Sequence, residues 1–126
     1  MNIIKGEVIK GLHIGKTIGF PTVNIEVKEE KICDFGVYIC EIEINKKKHR
    51  AVMHYGPKTI GTPDKNKIFL EVHVFDFDEN VYGETVLIKL LKKIREVRKF
   101  LSVNALKKQI IKDIEITKKY FNAEKT

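Results

Sequence analysis

The chain has only two cysteines, three prolines and eight glycines in 126 residues, and no apolar run near the roughly 20 residues needed to span a bilayer. Each shortage closes off a class of protein. Cys33 and Cys40 are too few for a disulfide framework and have no Cys or His partners at metal-ligand spacing, so both read as small apolar fillers. With 43% hydrophobic and 33% charged residues, the composition is that of a folded chain and not a disordered one. The opening MNIIKGEVIKG has no apolar core of signal-peptide length, which points to the cytoplasm. The length predicts one domain, 1–126, with enough residues for a single core. No internal repeat or low-complexity segment stands out.

Negative charge is scarce in one place only. Residues 1–88 hold 12 Lys/Arg against 13 Asp/Glu, whereas residues 89–126 hold 12 against 4, so the net +7 arises wholly in the last third. A basic end of this kind fits a nucleic-acid surface, an anionic-ligand site or the solvated face of a helix.

From Ile3 to about Tyr82 the pattern is short strands separated by turn residues. Gly36–Ile44 alternates, with Tyr38, Cys40, Ile42 and Ile44 on one face and Glu41 and Glu43 on the other. Asn45–Lys48 reads as a polar hairpin turn into His49–Tyr55. Ile68–Phe75 sets Ile68, Leu70, Val72 and Val74 against Phe69, Glu71, His73 and Phe75; Asp76–Asn80 then turns, and Thr85–Leu91 is a further strand. Many short strands with no helix between them predict an antiparallel barrel or sandwich over about residues 3–91. The period then changes. Leu106, Ile110, Ile114, Thr117 and Phe121 recur at three- and four-residue steps, predicting a packed helix over about 102–121 with Ser102 as its N-cap and Lys107, Lys108, Lys112, Lys118 and Lys119 mostly off the apolar face.

Three groups of residues are candidates for chemistry. Residues 11–24, GLHIGKTIGFPTVN, have the glycines of a phosphate-binding loop but not a P-loop: Lys10 stands five places before Gly15, and Gly19-Phe-Pro21 opposes the helix a P-loop must open. Thr22 and Asn24, two apart in extended chain, point the same way and offer neutral oxygens to a hard cation such as Mg²⁺, effective once nucleotide phosphates complete the shell; the plain alternative is a turn after Pro21. Glu71, in an apolar strand, is costly unless it faces a polar cavity, where partial desolvation would suit a general base; on an open face it is ordinary. Arg95, Arg98, Lys99 and Phe100 could clamp a phosphate, stack a planar ring, or hold single-stranded nucleic acid.

Taken together and in order, Gly6-x-Val8-x-x-Gly11, Gly15-Lys16-Thr17-Ile18-Gly19-Phe20-Pro21-Thr22-Val23-Asn24, Gly36-Val37-Tyr38, Glu71-Val72-His73, Tyr82-Gly83 and Arg95-x-x-Arg98-Lys99-Phe100, followed by a helix with Asp113, resemble the riboflavin kinase (flavokinase) family, including the kinase module of bacterial bifunctional FAD synthetases. The resemblance spans about residues 6–120. It implies a six-stranded antiparallel Greek-key β-barrel with a C-terminal α-helix, and transfer of the γ-phosphoryl of ATP to the 5′-hydroxyl of riboflavin, giving FMN and ADP. It implies Glu71 as the base that takes the hydroxyl proton, and Thr22 and Asn24 as ligands of Mg²⁺ and nucleotide phosphate. Gly11 and Lys16 would belong to a loop over the phosphates, with Val74, Asp76 and Tyr82 flanking the nucleotide and Arg95, Arg98 and Phe100 the flavin.

The partners expected are these small molecules, with no membrane or nucleic acid, and a monomer. This chain departs from the family pattern in Val23 for Ala, in Val97 where a Glu normally stands two places after the Arg, and in the segment from Met53 to Asp64. The adenylyltransferase domain of the bifunctional enzymes is absent from it, so the expected product is FMN. The competing readings are a non-catalytic basic barrel that binds single-stranded nucleic acid and a flavin-binding relative without turnover.

Overall fold

The computed structural model describes residues 3–10, 19–29, 32–57 and 67–124. Gly11 and Lys16, expected in a phosphate-covering loop, lie outside the described residues. Among the described residues, six strands, β1 (Ile3–Ile9), β2 (Val23–Glu26), β3 (Gly36–Ile44), β4 (Lys47–Gly56), β5 (Phe69–Val74) and β6 (Thr85–Arg95), precede one helix, α1 (Val103–Glu124). They close into an antiparallel barrel in the order β1-β2-β5-β4-β3-β6. Closure satisfies every strand edge, so the interior can be wholly apolar.

The alternation in the sequence decides which side chains fill it. Tyr38, Cys40, Ile42 and Ile44 of β3 point inward, as expected, and meet Met53 and Ala51 of β4, Leu70, Val72 and Val74 of β5, and Val86 and Ile88 of β6. Cys40 has no solvent exposure and Cys33 is half-buried; both thiols are unpaired and are raised by burial, as filler cysteines should be. Ile68 falls outside β5 and is exposed, because the inward row begins at Leu70.

Two boundaries differ from the sequence expectation. The β3–β4 turn is Asn45-Lys46 alone, both with positive φ (51° and 67°), and Ile44 pairs directly with Lys47. Two left-handed residues give the hairpin twist that matches the strands, so Lys47 and Lys48 belong to β4. In the other case β6 runs four residues beyond Leu91. Its pairing with β3 slips by one residue at two points, so that Leu91 and Ile94 are extra: Cys40 pairs with Leu90, Ile39 with Lys92, Tyr38 with Lys93 and Val37 with Arg95. These bulges break the in–out alternation that a sequence pattern relies on. Gly36 lies where the bulged strand comes close, since a Cβ there would stand 2.5 Å from Lys93 Cε and 3.1 Å from the Arg95 carbonyl oxygen.

Helix α1 begins as its sequence requires. Ser102 Oγ accepts from the Ala105 N–H at 3.1 Å, satisfying one of the free first-turn donors. The helix buries Leu106, Asp113, Thr117 and Phe121 and leaves Lys107, Lys108, Lys112, Lys118 and Lys119 exposed. It packs on the outside of β4. The barrel is therefore buried on both surfaces here, and Val37, Ile39 and Val52, which point outward, are as enclosed as core residues. No described helix is long and apolar enough to cross a membrane.

Candidate active site

The outward row of side chains that crosses the barrel beside α1 holds the polar groups. Asn24 on β2 pairs with Glu71 on β5, Glu71 with His54 on β4, His54 with Val37 on β3, and Val37 with Arg95 on β6. Directly opposed residues in an antiparallel sheet share a face, with Cβ atoms about 4.5–5.5 Å apart. A register set by apolar residues on the inner face thus lines up Asn24, Glu71, His54 and Arg95 on the outer one. Asn24 is buried and Glu71 half-buried. Burial pushes the Glu71 carboxyl above its ordinary range, which favours proton uptake there.

Thr22 immediately precedes β2, and its segment is tied to β5: His73 Nδ1 donates to the Pro21 carbonyl oxygen at 2.9 Å. Thr22, Asn24, Val74 and Tyr82 all line one cleft of ≈ 320 Å³, together with Phe77 and Asn80. Asn80 Oδ1 accepts from the Tyr82 N–H at 3.2 Å and fixes the turn that presents the tyrosine ring. Four of the residues expected around a nucleotide are therefore together. Asp76 is not among them. It sits in a left-handed turn (φ 56°) and lines a second cleft of ≈ 800 Å³ with Arg50, His73, Phe75, Lys118 and Phe121.

The third expected group also comes together, but its members differ in what they can do. Arg95 meets Asp113 of α1 side-on: Nε donates to Oδ1 at 2.9 Å and Nη2 to Oδ2 at 2.8 Å. Gln109 Nε2 donates to the same Oδ1 at 3.0 Å. The pair is largely buried, with side-chain exposures of 17% and 5%. Phe100 is buried under both guanidinium groups, Arg95 at 5.9 Å and Arg98 at 5.0 Å from its ring centre. Arg95 thus anchors the helix to the barrel, and Phe100 packs against its guanidinium group. Arg98 is exposed and lines a cleft of ≈ 380 Å³ with Phe35 and Pro57.

Sequence reading passed over His54. Both of its ring nitrogens are closed off from solvent and have no hydrogen-bond partner. An unmet buried polar group costs about 1–3 kcal/mol, so an imidazole in this state is unusual. Burial, with the Arg95 charge added, pushes it down to about 4, and it is neutral at pH 7. Its sequence signals were a His inside an apolar strand and a place in the Met53–Asp64 segment that departs from the family pattern, and neither distinguishes a packed ring from a working one.

No group of three His, Cys, Asp or Glu side chains among the described residues could hold a metal ion alone. The hydroxyl of Thr22 and the carboxamide of Asn24 are hard neutral oxygen donors beside the ionisable Glu71. Such a set suits a divalent cation that arrives with phosphates, and it does not suit a resident zinc or iron.

The family model described as Flavokinase: Riboflavin kinase matches residues 2–121. The chain is 43% identical over 120 residues to the bifunctional riboflavin kinase/FMN adenylyltransferase of Buchnera aphidicola subsp. Schizaphis graminum, covering 94% of this chain and 38% of that one. It is 41% identical over 122 residues to the RNA-binding riboflavin kinase RibR of Bacillus subtilis, covering 96% and 52%. Among solved structures, a Streptococcus pneumoniae protein described as a macrolide-efflux protein superimposes with a TM-score of 0.81 and 37% identity, covering 92% of this chain and 38% of that one. The chain spans about two-fifths to one-half of the length of these proteins.

Proposed function

Since the chain belongs to the riboflavin kinase family, we propose that it transfers the γ-phosphoryl of ATP to the 5′-hydroxyl of riboflavin, yielding FMN and ADP. The observation that carries this reading is the register that sets Asn24, which lines the Thr22/Tyr82 cleft, directly opposite Glu71. A phosphoryl donor in that cleft and a hydroxyl held by Glu71 would meet across a single inter-strand spacing, about 4.8 Å.

The chemistry asks for positioning and charge neutralisation more than for covalent help. Glu71, desolvated and raised in proton affinity, accepts the proton of the 5′-hydroxyl. That oxygen forms the new bond to the γ-phosphorus as the bond from phosphorus to the β,γ-bridging oxygen breaks, and ADP leaves. Thr22 and Asn24 would hold Mg²⁺ with the nucleotide phosphates, and the ion would supply countercharge to the phosphate oxygens. Tyr82, Val74 and the Asn80 turn would flank the base and sugar of the nucleotide.

Phe69 lies two residues along β5 from Glu71 on the same face and pairs with Gly56, next to Pro57. A ribityl chain leaving Glu71 in that direction brings the isoalloxazine ring to the cleft of Phe35 and Arg98. We assign the flavin there. Arg95 serves it indirectly, by holding α1 in place through Asp113.

The test is incubation with riboflavin, MgCl₂ and ATP, GTP or CTP in turn, followed by chromatography. FMN formed with ATP supports the reading, and absence of FMN with every nucleotide sinks it. A nucleic-acid role has less behind it. The lysines of α1 are exposed on its solvent side, and of them Lys118 lines the larger cleft with Arg50, His73 and Phe75.

A further inference from the structure

His54 is the buried polar side chain that the fold itself leaves unpaired among the described residues. Its surroundings narrow what it is for. Arg95 and Asp113, the charged groups whose fields reach it, are engaged with each other through two hydrogen bonds. His73, on the outer face of β5, has its Nδ1 on the Pro21 carbonyl oxygen. Val37, its partner on the β3 side, has no polar side chain to offer. On the β5 side stands Glu71, its direct register partner. At that separation a rotation about the side-chain bonds of either residue brings a ring nitrogen within reach of a carboxylate oxygen.

In the chain without substrate, Glu71 is half-buried, and water can reach the exposed part of its side chain in place of His54. Substrates filling the clefts on either side would remove that water, and the buried ring is then the donor at hand. We infer that His54 is a positioning residue for Glu71: with riboflavin and nucleotide bound, a ring N–H of His54 donates to one Glu71 carboxylate oxygen and turns the other toward the riboflavin 5′-hydroxyl. This follows the general arrangement in which a base is itself oriented by a third group. It rests on the riboflavin kinase reading, and it deepens that reading by adding one residue that the family motifs above do not contain.

The test uses steady-state FMN formation by the full chain and by His54→Phe, His54→Asn and His54→Gln, each also made in a Glu71→Gln background. His54→Phe is expected to lower kcat about 10-fold while both KM values stay within about two-fold, as for a small misplacement of a catalytic group. His54→Asn or His54→Gln, which return a donor near the Nδ1 or Nε2 position, should recover most of the loss. In the Glu71→Gln background, His54→Phe should add nothing, because the two residues act as one unit. A packing role would show the opposite pattern, with loss in both backgrounds and no rescue by the amides, and would overturn the inference. So would an unchanged kcat in His54→Phe; if that variant does not fold, His54→Leu carries the same comparison. A wild-type chain that makes no FMN defeats the kinase reading, whereas a Glu71-dependent kinase indifferent to His54→Phe defeats this inference alone.

Discussion

Asn24 and Glu71 stand directly opposite each other across the β2–β5 pairing, one buried and one half-buried, on the outer surface of a closed barrel. A neutral oxygen donor and an ionisable carboxyl are thereby held one strand apart by backbone hydrogen bonds and not by flexible side-chain contacts. The two roles proposed for them can be separated by substitution.

Glu71→Gln keeps the shape and removes the base. Turnover should fall about 10²-fold or more with riboflavin KM little changed, measured as FMN formed under saturating substrates. Because burial raises the Glu71 carboxyl, the acid limb of the wild-type kcat/KM profile should sit above the ordinary Glu value of about 4.3. That limb should be missing from the residual activity of Glu71→Gln.

Thr22→Ala removes one of two neutral oxygens next to the phosphates. The expected result is a rise of about 10-fold in the KM for ATP and in the Mg²⁺ concentration needed for half-maximal rate, equivalent to about 1.4 kcal/mol, with riboflavin KM unchanged. Chelation with EDTA should stop the reaction, and MgCl₂ should restore it. Equal loss for riboflavin and ATP would place Thr22 elsewhere in the mechanism.

Arg98→Ala should raise the riboflavin KM about 10-fold and leave ATP alone, whereas Lys118→Ala, in the larger cleft beside Phe75, should affect neither. The reverse result would move the flavin to the larger cleft.

Asp113→Ala leaves the largely buried Arg95 guanidinium without its carboxylate. The cost should be about 3–5 kcal/mol in urea unfolding, and Arg95→Met/Asp113→Leu should cost less than Asp113→Ala alone. The contrast between the single and double replacements separates a buried charge left unpaired from the simple loss of a contact.

His54 gives a pH signature. Its folded value of about 4 lies below the unfolded value of about 6.5, so the unfolded chain binds the proton more readily. The stability at stake is fully present above about pH 6.5 and is lost as the pH falls through 6 and 5 toward 4. The shift corresponds to about 3 kcal/mol in all. His54→Phe should flatten the unfolding free energy across that window, and an equally steep fall in the variant would assign the effect to other groups.

Much of this was legible in the sequence because apolar alternation fixes faces. Tyr38, Cys40, Ile42 and Ile44 were expected on one side and are on one side, and the period change at Ser102 marked a real helix with that serine as its cap. Fold and family could be read from the ordered motifs. Alternation failed where backbone geometry took over, in the two-residue left-handed turn at Asn45-Lys46 and in the bulged end of β6. The outer row was only half legible. Glu71 was conspicuous as a charge in an apolar strand, but its neighbours Asn24 and His54 depend on register across strands that lie 47 and 17 positions away in the chain, and no local pattern carries that information. Nor could Arg95 be told apart from Arg98 before Asp113 was seen to hold it.

The bulges also govern how this protein can change length. At Leu91 and Ile94 the strand carries residues with no partner in β3, so losing one of them leaves every remaining pair in register and Arg95 still facing Asp113. In β5 there is no such slack, for Phe69 to Val74 pair with Gly56 to Ala51 without a break. Deleting one residue there turns everything on one side of the cut through the barrel wall, either Glu71 itself or the Leu70 and Val72 packing that seats it. The register of β6 can therefore absorb a one-residue deletion at a bulge, whereas that of β5 cannot.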